Sequence, residues 1–353
     1  MKKTSTVATP AEIIGHNPDL LRQILIRLPT RPLLKFKCVS KQWLSLVSSP
    51  DFCHSLTCHH YQTNGYLKPT SLLLRCSYKY KSSSELICVS MKHIIKAPVF
   101  DFLYSRDTCV LDGFLVLNSC KGLFLCVCTF ISHSHRNMII SKYLVCNPTT
   151  KKFKELSFPS QPSFGFNATL AFDPLKSPHY KIIHIWKLSA LENKFRLDIY
   201  SSETDSWSVF NRCFSMNCNF EACEDSVFWD GKIYWNRRWG KPFYFDMEDK
   251  RFGEMQISFP THVQRIEECQ GALNLVAICP AHNRLDLKVF EKPCGSSGWH
   301  LKHNVCIAEV GKARPKVFQG YYMPFSLFKD FPVWLFYFYL DSPAQPSTVA
   351  TTG

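Results

Sequence analysis

The residues with the strongest claim to chemistry stand in "CHSLTCHH" (53–60), where Cys53, His54, Cys58, His59 and His60 are all ligand types for zinc. Their spacing matches no standard finger and no second pair follows at a set distance, so packing and surface roles are expected. Cys213, Cys218 and Cys223, five residues apart, carry no more weight. The 353 residues contain no G-x-S-x-G, P-loop, H-E-x-x-H or G-x-G-x-x-G. The expectation is a chain without catalytic residues, metal or cofactor, whose chemistry is recognition. For that, "NRRWGK" (236–241) stands out, because Arg and Trp are the types most enriched at binding hot spots. Arg237, Arg238 and Trp239 would meet an acidic or aromatic surface, or Trp239 would pack under its own loop with the arginines solvated. "GYYMPF" (320–325) is a second candidate of the same kind.

The elements that must position such residues come in two textures. Hydrophobic residues make up 46% and charged ones 20%, which excludes a disordered chain, and 28 Phe favour strands. No sustained apolar run follows Lys2 and Lys3, so no secretory signal is readable. Phe331 to Leu340 is half the length a membrane helix needs and contains Pro332, and reads as a strand. Seventeen scattered cysteines without one C-x-x-C suggest reduced thiols and a cytoplasmic or nuclear setting. The net charge of +14 raises nucleic acid as a partner. Only the first 50 residues concentrate that charge, with eight Lys and Arg against Glu12 and Asp19, and an acidic protein explains this equally well.

From Pro18 to Val47, apolar residues recur at steps of three and four: Leu20, Leu21, Ile24, Leu25, Leu28, then Leu33, Leu34, Phe36, Val39, then Trp43, Leu46 and Val47. Pro29 and Pro32 punctuate the pattern, Thr30 is the expected N-cap, and Ser48, Ser49 and Pro50 the expected stop. Three short helices result. A unit of about 35 residues is small for a core of its own. Its apolar positions outnumber one stripe per helix, so a face remains either for the rest of the chain or for another protein.

Beyond residue 70 the texture is short strands: "SLLLRC" (71–76), "GLFLCVC" (122–128), "YKIIHIW" (180–186), "RLDIYS" (196–201), "KIYW" (232–235) and "ALNLVAIC" (272–279). One unit recurs in "YLVCNPTTKKFKEL" (143–156), "LDIYSSETDSWSVF" (197–210) and "FYFDMEDKRFGEM" (243–255), each a strand, a polar turn and a strand opening on an aromatic. The interval suits propeller blades of roughly 40 to 50 residues, about six over the whole region. In "SVFWDGKIYW", Asp230-Gly231 supplies the two positive φ angles of a type I′ hairpin. A large sandwich is the alternative.

Residues 17–52, "NPDLLRQILIRLPTRPLLKFKCVSKQWLSLVSSPDF", resemble the F-box of plant F-box proteins, through D-L-L-x-x-I-L, the central L-P, L-L-x-F-x-C-V and K-x-W-x-S-L-x-S-S-P-x-F. "NPTTKKFKEL", "LAFDPLKSPHYKII", "IYSSETDSW", "VFWDGKIYW", "FYFDMEDKRFGEM" and "LKVFEKPCGSSGWHLKH" are similar to the kelch-like F-box-associated (FBA type 1) domain of the same proteins. The resemblance implies an α+β multidomain chain: a tail (1–15), a three-helix F-box (16–60), an all-β, β-propeller-like domain (61–310) and a divergent carboxyl segment (311–353).

In function, the resemblance implies the substrate-recognition subunit of an SCF-type cullin-RING ubiquitin ligase, without catalysis of its own. The helices would dock on a small acidic Skp-type adaptor through Leu20, Leu21, Ile24, Leu25, Leu28, Pro29, Leu33, Leu34, Val39 and Trp43, rimmed by Lys35, Lys37 and Lys41. The adaptor hangs from cullin and RING subunits, and the β-domain holds a target protein. No membrane partner is implied. The rivals are an F-box protein that recruits no target and a basic nucleic-acid-binding protein. Two departures matter. His16 and Asn17 replace the Leu-Pro that opens the family's first helix, with Pro18 one place late, which predicts weaker adaptor binding. Nothing after Val310 matches the family's closing strands, so the last blade is expected to be incomplete and Phe331–Leu340 to be a substitute strand or a sticky tail.

Overall fold

A computed structural model describes residues 9–64, 71–77, 84–90, 109–132, 138–148, 150–159, 166–189, 194–215, 226–237, 241–257, 262–281, 284–306 and 335–339. Its amino-terminal part is helical: α1 (Pro10–His16), α2 (Pro18–Leu25), α3 (Thr30–Lys35), a 3-10 turn (Phe36–Cys38), α4 (Lys41–Ser48) and α5 (Pro50–Asn64). That is two helices more than the periodicity predicts. Residues 10–15, expected as tail, belong to α1, and Pro50 opens α5 rather than ending the unit. Proline suits a first helical turn as well as a stop, and α5 has only a weak apolar stripe to betray it.

The caps also differ from expectation. Thr30 lies inside α3, Pro29 holds the N-cap position, and no side chain caps that end. Asn17 caps α2 instead, its Oδ1 accepting the Asp19 N–H at 3.0 Å and the Leu20 N–H at 3.2 Å, with Pro18 at the first helical position. The replacement of Leu-Pro by His16-Asn17 thus gives the helix a polar cap. Ser40 caps α4 through the Trp43 N–H.

With α5 included, the unit has a core of its own. Leu21 and Leu25 from α2, Leu33 from α3, Val47 from α4 and Phe52 and Leu56 from α5 are all buried together. Arg22 fastens α2 to α5, its Nη2 donating to the Asp51 carbonyl at 3.1 Å and to Ser55 Oγ at 2.6 Å.

The rest is β-structure in five small antiparallel sheets. Four have four consecutive strands: β3 (Cys109–Cys120) to β6 (Lys152–Leu156), β7 (Phe166–Ala171) to β10 (Ser206–Ser215), β11 (Ser226–Trp229) to β14 (Arg251–Glu254), and β15 (His262–Cys269) to β18 (His300–Cys306). The fifth joins β1 (Ser71–Ser77), β2 (Ser84–Ser90) and β19 (Leu335–Tyr339) in the order β19-β1-β2. Among the described residues there are five units where the motif spacing suggests six. The division into small sheets excludes the sandwich.

The first strands line the middle, β3 beside β7, β7 beside β11 and β11 beside β15, with β19 beside β3. This is an open, propeller-like arrangement. Leu335–Tyr339 serves as a substitute strand, paired with β1 from Ser71↔Tyr339 to Arg75↔Leu335. The sheet that holds it therefore combines both ends of the β-domain.

Alternation along each strand explains the stacking, because successive side chains face opposite sides. In β8 (Lys181–Lys187), Ile182 joins Tyr143 and Val145 of the preceding sheet, while Ile183 and Ile185 join Ile233 and Trp235 of the following one. The third interface sets Trp229 and Tyr234 against Ile266, Leu273 and Leu275. Buried polar groups bind the inner strands to one another: Asn118 of β3 donates to the Ser226 carbonyl at 2.7 Å and accepts the Leu170 N–H at 3.2 Å. Such satisfied pairs fix register where apolar contact alone would allow slippage.

The turns follow a rule only partly visible in sequence. Asp230-Gly231 has both φ angles positive, 47° and 74°, as expected of a type I′ hairpin. Lys121-Gly122 (48° and 88°) and Gln270-Gly271 (54° and 81°) repeat it between the first two strands of their sheets.

Candidate functional site

The ten apolar residues of the helical unit separate by helical phase. On α2, Leu21 and Leu25 point inward and are 1% exposed, while Leu20 and Ile24, also four apart, are 41% and 44% exposed. On α3, Leu33 is buried and its neighbour Leu34 is 40% exposed. Val39, after the 3-10 turn, is 58% exposed. Pro29 is exposed, and Leu28 and Trp43 are half-buried, the Trp43 ring edge-on to Phe36 at 5.7 Å.

Leu21, Leu25 and Leu33 hold the helices together and have almost no surface to offer. Leu20, Ile24, Pro29, Leu34 and Val39 remain outside a unit whose core is already complete. Sequence reading missed Leu44, Ile13 and Ile14, which are 47%, 54% and 36% exposed. Leu44 was discoverable as an apolar residue on the polar side of α4.

Lys35 and Lys41 lie exposed, and Lys37 is half-buried. Burial lowers the Lys37 pKa, and the positive charge of Lys152 lowers it further. That second lysine belongs to β6, so the basic rim of the helices continues onto the first four-stranded sheet.

The helical unit meets the β-domain through the last turns of α5. Cys58 Sγ lies 4.0 Å from the Leu175 carbonyl. Tyr61 stands near Lys121, Glu268 and Asp173, and burial pushes its hydroxyl up to about 12. Strand direction explains this meeting. In consecutive antiparallel strands, turns after the first and third strands share one end of the sheet, and loops after the second share the other. The turns at 121–122, 172–180, 230–231 and 270–271 therefore crowd at one end, where Tyr61 reaches them. Lys121 Nζ lies 2.6 Å from Glu268 Oε1, joining the first and last of the four-stranded sheets.

Asn236 and Arg237 follow a second strand and so lie at the opposite end. Arg237 is occupied there: its guanidinium is 4.6 Å from the Phe243 ring centroid and 4.0 Å from Glu254, with its side chain 16% exposed. It is a packed side chain, mostly withdrawn from solvent. Arg238, Trp239 and the stretch 320–325 lie outside the described residues.

The zinc-type residues are not brought together. Cys53 faces the helical core and donates to the Val47 carbonyl at 3.7 Å, whereas Cys58 sits 3.7 Å from His54 Nε2 and His59 stacks edge-on with His60. Cys213 is exposed, and Cys218 and Cys223 lie outside the described residues. Among the described residues, no group of three or more His, Cys, Asp and Glu could hold a metal, and no helix is long and apolar enough to cross a membrane.

Comparison with known proteins places both parts. Residues 16–55 match the F-box domain family, and residues 101–278 match the F-box associated beta propeller domain family. F-box protein At5g07610 of Arabidopsis thaliana is 26% identical over 336 residues, covering 89% of this chain and 76% of its own. F-box only protein 8 of the same plant is 29% identical over 172 residues, covering 47% of this chain and 52% of its own.

Proposed function

The chain belongs to the F-box proteins that carry an F-box-associated β-propeller domain, and from that premise we propose that it is the substrate-recognition subunit of an SCF-type ubiquitin ligase. Its helices dock on a Skp-type adaptor, and through it on cullin and RING subunits, while the β-domain holds a protein to be ubiquitinated.

One observation carries this reading: Leu20, Ile24, Leu34 and Val39 stay between 40% and 58% exposed on a unit whose core is already sealed. Water disfavours such a surface, and a partner that covers it gains the corresponding hydrophobic free energy. Lys35 and Lys41 beside it, with Lys37 and Lys152 behind, favour an acidic partner and speed its encounter more than they tighten the complex. The chain needs no reactive group for this role. It holds a target close to an enzyme that reacts, so its contribution is effective concentration.

The test is co-expression with a Skp-type adaptor. A 1:1 complex is expected, abolished by Leu34→Asp. Loss should leave the far-ultraviolet circular dichroism unchanged, since Leu34 lies outside the core. DNA binding without adaptor and with a steep salt dependence would instead establish a nucleic-acid-binding protein.

A further inference from the structure

At the crowded end of the β-domain, beneath Tyr61 of α5, lies a half-open cleft of about 130 Å³. Its lining includes the apolar side chains of Phe172, Pro174, Phe228 and Trp229. Trp229 is fixed in place, its Nε1 donating to the Gly271 carbonyl at 2.8 Å. Five charged side chains line the walls: Lys121, Lys176, Asp173, Asp230 and Glu268. Lys121 is engaged by Glu268 at 2.6 Å, so the pair presents little net charge. Beyond that pair the lining holds Asp173 and Asp230, the latter hydrogen-bonded by the Cys294 side chain, against the exposed Lys176, so acids outnumber bases here on an otherwise basic chain.

Size and charge together restrict the occupant. Pockets for drug-sized molecules measure roughly 300 to 1,000 Å³, so this cleft has room for one side chain. Apolar lining residues suit a long aliphatic stem, and two lining carboxylates suit a cationic head. A guanidinium meets this pattern better than an ammonium, because its planar fork can bond both carboxylates at once and is more weakly hydrated.

We propose that this cleft receives an arginine side chain presented by the target protein. The proposal rests on reading the chain as a target receptor and gives that reading a recognition element. It also moves recognition from the end of the β-domain where Arg237 lies to the opposite end, beside the helices that hold the adaptor.

The test uses the full chain without adaptor, titrated by fluorescence polarisation with a labelled Gly-Leu-Arg-Leu-Gly peptide. The comparison peptide has citrulline for arginine, equal in shape but neutral. Charge-assisted hydrogen bonds to two carboxylates predict at least about a tenfold preference for arginine. The double variant Asp173→Asn/Asp230→Asn should erase the preference while folding normally. Asparagine keeps the oxygen that accepts the Leu175 N–H at 3.1 Å at position 173, and it tolerates the positive φ at position 230. Equal affinity for the two peptides, no binding of either, or a preference that survives the double variant overturns the proposal. So does free N-acetylarginine amide binding as tightly as the peptide, which would make the ligand a metabolite. The ligase reading fails separately: arginine preference without an adaptor complex sinks that reading alone, and an adaptor complex without arginine preference sinks the cleft alone.

Discussion

Removing two exposed side chains from the helical unit should weaken adaptor binding without touching stability. Ile24→Ala with Leu34→Ala is the sharpest form of the perturbation. The two residues are 44% and 40% exposed, so each has somewhat less than half of its surface left to bury on a partner. Complete burial of an aliphatic side chain is worth about 1.5 to 3 kcal/mol. Each truncation then costs about 0.6 to 1.3 kcal/mol, and the pair about 1.2 to 2.5 kcal/mol, a weakening of roughly sevenfold to sixtyfold. Folding should change by no more than about 0.5 kcal/mol per site, as surface substitutions do. The control is Leu33→Ala, one residue away but 2% exposed, which should cost about 2 to 5 kcal/mol of stability through transfer and cavity terms. Calorimetric titration with the adaptor gives the affinity, and urea denaturation gives the stability. If the double variant bound within threefold of the parent while melting normally, the exposed face would not be the docking face.

Two further outcomes concern the β-domain. A Cβ on Gly253 would sit 2.5 Å from the Tyr244 ring and hydroxyl across the β13–β14 pair, so Gly253→Ala should lower stability by about 1 to 3 kcal/mol in denaturant titration. Gly298→Ala, with open space around it, should be silent, and equal effects would contradict the packing. Hydrogen bonds from Lys154 at 2.6 Å and Tyr200 at 2.7 Å hold the Asp205 carboxyl below the usual carboxylate range. A depressed folded pKa stabilises the fold above the unfolded value near 3.8, and that stabilisation disappears as pH falls through the folded value. Asp205→Asn, tolerated at a φ of 51°, should therefore lower the melting temperature at pH 7, with the difference shrinking below pH 3. An unchanged difference would show that the charge plays no part.

Much of the architecture was legible because it is written in local periodicity. Steps of three and four marked α2, α3 and α4, and the repeated strand-turn-strand unit marked the last hairpin in each of three sheets. The helix α5 was not legible: Phe52 and Leu56 complete the core, but they stand among mostly polar residues and the apolar stripe is weak. Lys121-Gly122 and Gln270-Gly271 escaped for a similar reason, since lysine and glutamine are not turn formers and only the glycine hinted at the turn.

By itself the sequence determined where helices give way to strands, which positions are apolar, and that no catalytic motif is present, all of them properties of short stretches. Which apolar residues face outward was decided only when four helices packed and sealed Leu21, Leu25 and Leu33, leaving Leu20, Ile24 and Leu34 outside. Tertiary structure also decided that Arg237 lies against Phe243, and that Asp173 and Asp230, 57 positions apart, share one cleft with Tyr61. Burial and proximity depend on how distant segments meet, and a local pattern specifies only which side of an element prefers to be dry.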